Sequence, residues 1–121
     1  MRTTVPHLKQ RADFLRVAAG RRRCATPGVV LQVAPRPAAT GASARVGYTA
    51  SRKVGNAVVR NRSRRRLRAA VASLLPRHAD AALDYVLIAR DGTATRPWPA
   101  LLGDLEAAMR RLRAWRDEPA S

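Results

Sequence analysis

Residues 55–68 read GNAVVRNRSRRRLR and place six arginines among the nine positions from Arg60 to Arg68. A helix turns by about 100° per residue, so a helix over residues 56–75 gathers its apolar side chains in one arc of roughly 160°. That arc holds Val59, Leu67, Ala70, Val71, Leu74 and Leu75. The opposite arc holds Asn61, Arg62, Arg64, Arg65, Arg66 and Arg68. The pattern predicts a helix with one side packed in a core and a cationic side facing outward.

The charge of this helix has no compensation within its own segment. No acidic residue lies between Arg45 and Arg77, whereas an ordinary solvated helix face mixes charges of both signs. Repulsion among the arginines raises the free energy of the helix, and a polyanion lowers it by displacing condensed counterions. The whole chain carries a formal charge of +16, with 24 basic and 8 acidic residues. We therefore expect a nucleic acid as the partner of this surface.

The kind of nucleic acid is indicated by the residues that accompany the charge. Arginine supplies every basic residue except Lys9 and Lys53, and its planar guanidinium grips phosphates and stacks on bases, although a GC-rich genome also enriches arginine. Only Asn61 and Ser63 interrupt the cations, which favours contact with shape and phosphates over the reading of base pairs in duplex DNA. The nearby Thr49, Ser51, Lys53 and Phe14 suit a single strand, which they would bind by hydrogen bonds and stacking, and the charge alone leaves the kind of nucleic acid open.

The rest of the chain predicts the fold class. Periodicity predicts a helix over residues 11–17 that Gly20 could end, strands over residues 29–34, 44–54 and 85–89 with Asp84 bounding the last, and a final helix over residues 98–115. Pro76 is expected to end the arginine-rich helix at Leu75, because proline disfavours helical geometry in the preceding residue. The order predicts one α+β domain over residues 1–121, ordered from about 8 to 115, with a loop at about 36–43 and flexible ends.

The sequence lacks the features that would indicate a membrane span, a signal peptide, a disulfide bond or a zinc site. It has no apolar stretch of about 18 residues and no apolar run at its start, so we expect no membrane span, no membrane partner and no signal peptide. Cys24 is the only cysteine, so no disulfide can form within the chain, and Cys24, His7 and His78 are too few for a four-ligand zinc site. We expect a cytoplasmic protein without a disulfide partner.

The segment NAVVRNRSRRRLR resembles the arginine-rich helix of the protein subunit of bacterial ribonuclease P. Three other segments resemble the same family in the same order, namely RADFLRVAAGRR, ARVGYTASRKVGNA and DYVLIAR, so the likeness covers residues 8–115. It implies a two-layer sandwich in the order αβββαβα, with an approximately four-stranded mixed sheet and a left-handed strand-helix-strand crossover. Periodicity alone shows three strands, and the family's first strand would have to lie within residues 22–33.

The resemblance also implies a function and its residues. In the family, the protein binds the catalytic RNA and the single-stranded 5′ leader of precursor tRNA, and the RNA with its Mg²⁺ ions hydrolyses the phosphodiester bond that releases the leader. No cofactor is expected on the protein alone. The RNA-contacting motif matches Arg60, Asn61, Arg62, Arg64, Arg65 and Arg68. The cleft for the leader matches Phe14, Val30, Thr49, Ser51 and Lys53.

This sequence departs from the family pattern at three positions. Ala18 and Gln32 stand where the family often has aromatic residues, so leader contact would depend more on polar groups than on stacking. Ser63 replaces a usual apolar residue on the dry side of the arginine helix, and we expect its hydroxyl to donate to the carbonyl of Val59.

Two other interpretations bear on the function. The acidic residues show no spacing typical of metal ligands or of a catalytic triad, so we expect no catalytic residue and no metal ligand on the protein. A non-catalytic RNA-binding module, such as a ribosomal protein, would use the same cationic helix and stays open at this point.

Overall fold

A computed structural model describes residues 5–38, 41 and 43–117. The helices are α1 (Arg11–Ala19), α2 (Ala57–His78) and α3 (Trp98–Arg111), and the strands are β1 (Arg22–Ala25), β2 (Val29–Pro35), β3 (Arg45–Thr49) and β4 (Leu83–Ala89). The expected order αβββαβα is confirmed. The flexible ends and part of the loop predicted at residues 36–43 fall on residues 1–4, 39, 40, 42 and 118–121, which lie outside the described residues.

The strand that periodicity missed is β1. It forms an antiparallel hairpin with β2, in which Arg22 is paired with Val33 and Ala25 with Val30. The strand has only four residues and two of them are arginines, so no alternation of apolar and polar positions could reveal it. The family resemblance had placed a strand within residues 22–33, and the structure confirms it there.

The sheet is mixed and has the order β1-β2-β4-β3. β2 is antiparallel to both β1 and β4, whereas β3 and β4 are parallel and are connected through α2. A parallel pair requires a crossover of this kind, so the arginine-rich segment is the connection that allows β4 to lie between β2 and β3. The left hand that the resemblance implies for this crossover stays a prediction.

The main core lies between one face of the sheet and the helices α2 and α3. From the sheet, Val29, Leu31, Val33, Val46, Tyr85 and Leu87 are fully buried on this face. The dry side of α2 meets them with Leu67, Ala70, Val71 and Leu75, and α3 contributes Leu101, Leu105, Ala108 and Met109. The amphipathic division read from the sequence of α2 is therefore confirmed on its apolar side.

The second face of the sheet is covered in part by α1. Val17 of α1 packs with Leu8, Ala34 and Val86 in a smaller core, and Phe14 and Ile88 lie against it half-buried. This helix contacts β2 and β4. The arrangement adds a partial third layer to the two-layer sandwich and leaves the remainder of the second face accessible.

Asp84 ties α1 to the sheet. It lies inside β4 and is fully buried, although its charge had suggested the boundary of the strand. Arg45 donates from Nε to one carboxylate oxygen at 3.0 Å and from Nη2 to the other at 2.7 Å, and Arg16 of α1 donates to the second oxygen as well. The hydrogen bond with Asp84 raises the pKa of Arg45. A buried carboxylate held by two guanidiniums explains how the strand tolerates an acid.

The ends of α2 and α3 differ from the sequence prediction. α2 continues through Pro76 to His78, because contacts outside the helix hold its last turn: His78 stacks on Trp115 with ring centroids 3.9 Å apart, and its carbonyl accepts from the backbone N–H of Arg116 at 2.7 Å. The missing N–H of Pro76 removes one helical bond only. α3 ends at Arg111, and Arg113 adopts a φ of 56°, which turns the chain back toward α2.

We expect Asp84→Asn to destabilise the domain, because it removes the buried carboxylate that Arg16 and Arg45 share and leaves them only the longer contacts with Asp13, at 3.3 and 3.4 Å. The cost should be about 3 kcal/mol, at the low end for breaking a buried ion pair, since both arginines stay partly exposed. Urea unfolding measures it. Glu106→Gln is the control, because it breaks the exposed pair of Glu106 with Arg110 and should cost under about 0.5 kcal/mol. Equal losses of stability in both variants would contradict the role of Asp84.

Candidate nucleic-acid interface

The start of α2 is fixed by Gly55 and Asn56. Gly55 has a φ of 149°, and a Cβ at this position would lie 2.9 Å from the Cβ of Val59, so a side chain is excluded both by conformation and by space. The side chain of Asn56 caps the helix by accepting from the backbone N–H of Val59 at 3.0 Å. These two residues begin the helix directly after the short 3-10 turn Arg52–Val54 that follows β3.

The outward side of α2 carries the predicted RNA-binding residues. Asn61, Arg62, Arg65 and Arg68 are exposed, and Arg60 and Arg64 are half-buried. Arg64 donates to the side-chain oxygen of Asn61 at 2.9 Å, which holds both side chains on the surface. The structure thus brings all six residues onto one helix and leaves each accessible at least in part.

The acidic side chains that form ion pairs do so away from these arginines. The pairs are Arg16 and Arg45 with Asp13 and Asp84, Arg96 with Asp104, and Arg110 with Glu106. Within residues 5–38, 41 and 43–117, no carboxylate pairs with an arginine of the stretch from Arg60 to Arg68. Its positive charge is therefore uncompensated by the described part of the chain, and a polyanion would gain the full electrostatic attraction.

Two contacts on the flanks of α2 were not evident as such from the sequence. Arg66 lies in the cationic arc but donates to the backbone carbonyls of Thr93 and Arg96. The guanidinium of Arg68 lies 5.6 Å from the centre of the Tyr48 ring, and burial raises the pKa of Tyr48 to about 12 despite the opposing effect of Arg68.

The expected hydrogen bond from the Ser63 hydroxyl to the carbonyl of Val59 is present at 2.8 Å.

A second surface lies on the accessible part of the sheet. Val30 of β2, Ile88 of β4 and Thr49 of β3 are register partners and form one row across this face, in which Val30 is buried and Ile88 and Thr49 are half-buried. Next to the row is a groove of about 410 Å³, lined among others by Val30, Ser51, Lys53 and Ile88. The structure therefore brings together four of the five residues predicted for the leader cleft, with Thr49 in the same row as Val30.

Phe14, the fifth predicted residue, lies at the border between α1 and this face. Its ring rests on Gly47, where a Cβ would come within 2.5 Å of two ring carbons. Only a residue without a side chain lets the ring lie so close to β3. Because Phe14 is half-buried, it serves the smaller core and still presents part of its ring beside the accessible face.

The groove also contains residues that sequence reasoning missed. Arg23 of β1 and Arg90, which follows β4, line it together with Ile88. The alternation of β4 could have indicated Ile88, because residue 88 faces opposite to the buried Leu87. Arg23 could be placed only once β1 was known to be a strand. Asp91 lines the groove as well, so three cations face one carboxylate and the groove carries a net positive charge larger than that of Lys53 alone.

A model of a protein family described as Ribonuclease P matches residues 4–113 of the chain. The chain belongs to this family. The ribonuclease P protein component of Paramagnetospirillum magneticum is 56% identical over 119 residues, which cover 94% of this chain and 87% of that protein. The component of Gluconacetobacter diazotrophicus is 49% identical over 104 residues, which cover 86% of this chain and 88% of that protein. The family predicted from the arginine helix is confirmed.

Solved structures of ribonuclease P proteins share the fold. The Staphylococcus aureus protein superposes with a TM-score of 0.76 at 24% identity and covers 93% of this chain and 100% of its own. The Thermotoga maritima protein gives 0.72 at 20% identity, with 87% and 96% covered. The α+β architecture is confirmed by these likenesses.

Neither a membrane span nor a metal cluster is found in the part of the chain that the structure describes. None of its helices is both long and apolar enough to cross a bilayer. Those residues also include no group of three or more His, Cys, Asp or Glu side chains placed to hold a metal ion. Cys24 is a buried free thiol in the main core.

Arg62→Ala and Arg65→Ala each remove an exposed guanidinium of α2 that has no partner among the described residues. We expect each variant to bind a ribonuclease P RNA more weakly, with a dependence of log K on log salt that is shallower by about 0.7 to 0.9 for each phosphate that the variant no longer binds. Arg111→Ala is the control, because it removes the same charge from α3. Salt titrations of RNA binding measure all three, and slopes that are equal in all three variants would contradict the assignment.

Proposed function

We propose that this chain, as the protein subunit of a ribonuclease P ribonucleoprotein, binds the catalytic RNA through α2 and the single-stranded 5′ leader of precursor tRNA through the accessible sheet face. It thereby assists the removal of the leader that generates the mature 5′ end of tRNA. The observation that carries this proposal is the arginine face of α2, which has no carboxylate partner in the described chain. Membership of the chain in the Ribonuclease P family supports the same proposal.

Contact with the RNA subunit is supported by the chemistry of α2. Its guanidiniums project from a helix whose other side is packed in the core, so little backbone freedom is lost when the helix binds phosphates, and the entropic cost is that of ordering the arginine side chains. Guanidiniums hold phosphate oxygens in a bidentate manner, and a folded RNA offers phosphates at the spacing of its backbone. Because this face has few amides and hydroxyls, which are the groups that read base edges, it favours recognition of RNA shape over sequence.

Contact with the leader is supported by the form and lining of the second surface. The groove beside the row of Val30, Ile88 and Thr49 is open at the surface. It combines apolar side chains with three cations and one carboxylate, which are Arg23, Lys53, Arg90 and Asp91. An extended strand of RNA binds where apolar side chains pack against its bases and cations pair with its phosphates. Gln32 is half-buried on the adjacent row, so this face offers an amide where the family often has an aromatic ring.

We assign the hydrolysis to the RNA subunit and its Mg²⁺ ions. On the protein, Asp13, Asp84 and Asp104 are each engaged by arginines, which makes them poor candidates for a metal ligand or a general base. The role of the protein is then to position RNA and to lower the Mg²⁺ concentration at which cleavage proceeds, since its cations reduce the repulsion between two polyanions. A cytoplasmic location, where tRNA precursors are processed, follows from this role.

The test is reconstitution with a ribonuclease P RNA and a precursor tRNA at low Mg²⁺. We expect the parent protein to stimulate cleavage at the 5′ end of the mature sequence, and Phe14→Ala to weaken binding of the precursor more than binding of mature tRNA, which has no leader. Leu15→Ala is the matched control, because Leu15 lies on the same helix and is 55% exposed. A protein that binds RNA without stimulating cleavage at any Mg²⁺ concentration would instead be a non-catalytic RNA-binding module.

A further inference from the structure

Trp98 is an aromatic side chain that no step of the proposed function uses. It is the first residue of α3 and keeps 37% of its surface exposed. The second tryptophan, Trp115, is half-buried and stacks on His78. Trp98 is the most exposed of the Phe, Tyr and Trp residues in the described ranges. The exposed part of the indole offers a flat aromatic surface on which another ring can stack.

The position of the indole is fixed by its surroundings. Pro97 precedes Trp98 and Pro99 follows it. The pyrrolidine ring of each proline fixes its φ angle, so the backbone is restricted on both sides of Trp98. The carbonyl of Pro97 accepts from the N–H of Leu101 at 2.9 Å, and Leu101 is fully buried in the main core. The first turn of α3 thus presents the indole from a rigid support, and binding to it would cost little conformational entropy.

Arg66 connects the indole to the cationic face of α2. Its guanidinium carbon lies 6.0 Å from the centre of the indole, and the group is anchored by the carbonyls of Thr93 and Arg96. These two carbonyls accept hydrogen bonds from the Arg66 guanidinium but do not neutralise its positive charge. One helical turn earlier on α2, Arg62 is exposed and has no partner among the described residues, so the indole lies at the edge of the same surface.

We propose that Trp98 is a stacking platform for an unpaired RNA base at the edge of the arginine face of α2. This inference rests on the proposed function and adds a contact from α3. A base stacked on the indole would bring its own phosphate toward Arg62 and Arg66, which is how aromatic and cationic side chains share a single strand. An apolar protein partner would have to cover these uncompensated charges, so the surroundings of Trp98 favour RNA.

Tryptophan fluorescence tests this contact directly. The chain has two tryptophans, so Trp115→Phe leaves Trp98 as the only indole. We expect its emission to be quenched when the RNA that supplies the base is added, with ribonuclease P RNA alone in one arm and precursor tRNA alone in the other. Trp98→Phe, which retains only Trp115, is the matched control and should change little in both arms.

Affinity gives a second readout that separates stacking from charge. Trp98→Ala should weaken binding of the quenching RNA by about 5-fold to 150-fold, whereas Trp98→Phe should retain most of the affinity. The slope of log K against log salt should equal that of the parent, because the variant keeps every cation that binds a phosphate. A merely structural role of Trp98 would not produce quenching in the Trp115→Phe protein.

The outcomes distinguish this inference from the function on which it rests. If the parent protein binds the RNA and stimulates cleavage while the emission of Trp98 stays unchanged at saturation, the stacking platform is wrong and the proposed function stands. If the parent binds neither RNA, both are wrong. If Trp98→Ala fails to fold, quenching in the Trp115→Phe protein still decides the question.

Discussion

The packing of the apolar side of α2 against the sheet and α3 is the constraint on which the rest of the structure depends. Leu67, Val71 and Leu75 are buried on that side, and this burial fixes the rotation of the helix about its axis. Once the rotation is fixed, Arg62 and Arg65 lie exposed on the other side, and Arg66 and Arg68 lie on its flanks against Thr93, Arg96 and Tyr48. Burial of apolar surface therefore offsets the repulsion among the arginines and keeps these side chains in a position to bind a polyanion.

The same helix also determines where the second surface lies. Because α2 connects the parallel strands β3 and β4, the segment between β3 and α2 and the segment that follows β4 border one groove. On that face, Asp84 ties α1 to one end of the sheet through Arg16 and Arg45, and at the other end Ile88 and Thr49 stay half-buried beside the buried Val30.

Sequence reasoning predicted elements with strong periodicity and missed those fixed by tertiary contacts. The two sides of α2 and the buried strand β4 follow from helical and strand periods. The four-residue strand β1, the last turn of α2 beyond Pro76 and the buried position of Asp84 do not, because each depends on residues distant in the chain. Among site residues, the arginines followed from their motif, whereas Arg23 and Trp98 become recognisable only from the folded sheet and from α3.

The proposed function requires that the arginine face of α2 lie bare in the free protein and against RNA in the complex. Modification of arginines by a dicarbonyl reagent, mapped by mass spectrometry with and without ribonuclease P RNA, tests this requirement directly. We predict that Arg62, Arg65 and Arg68 react readily in the free protein and are protected by the RNA, while Arg110 and Arg111 of α3 react equally in both. Protection that is absent on α2, or equal on α2 and the end of α3, would contradict the proposed role of the helix.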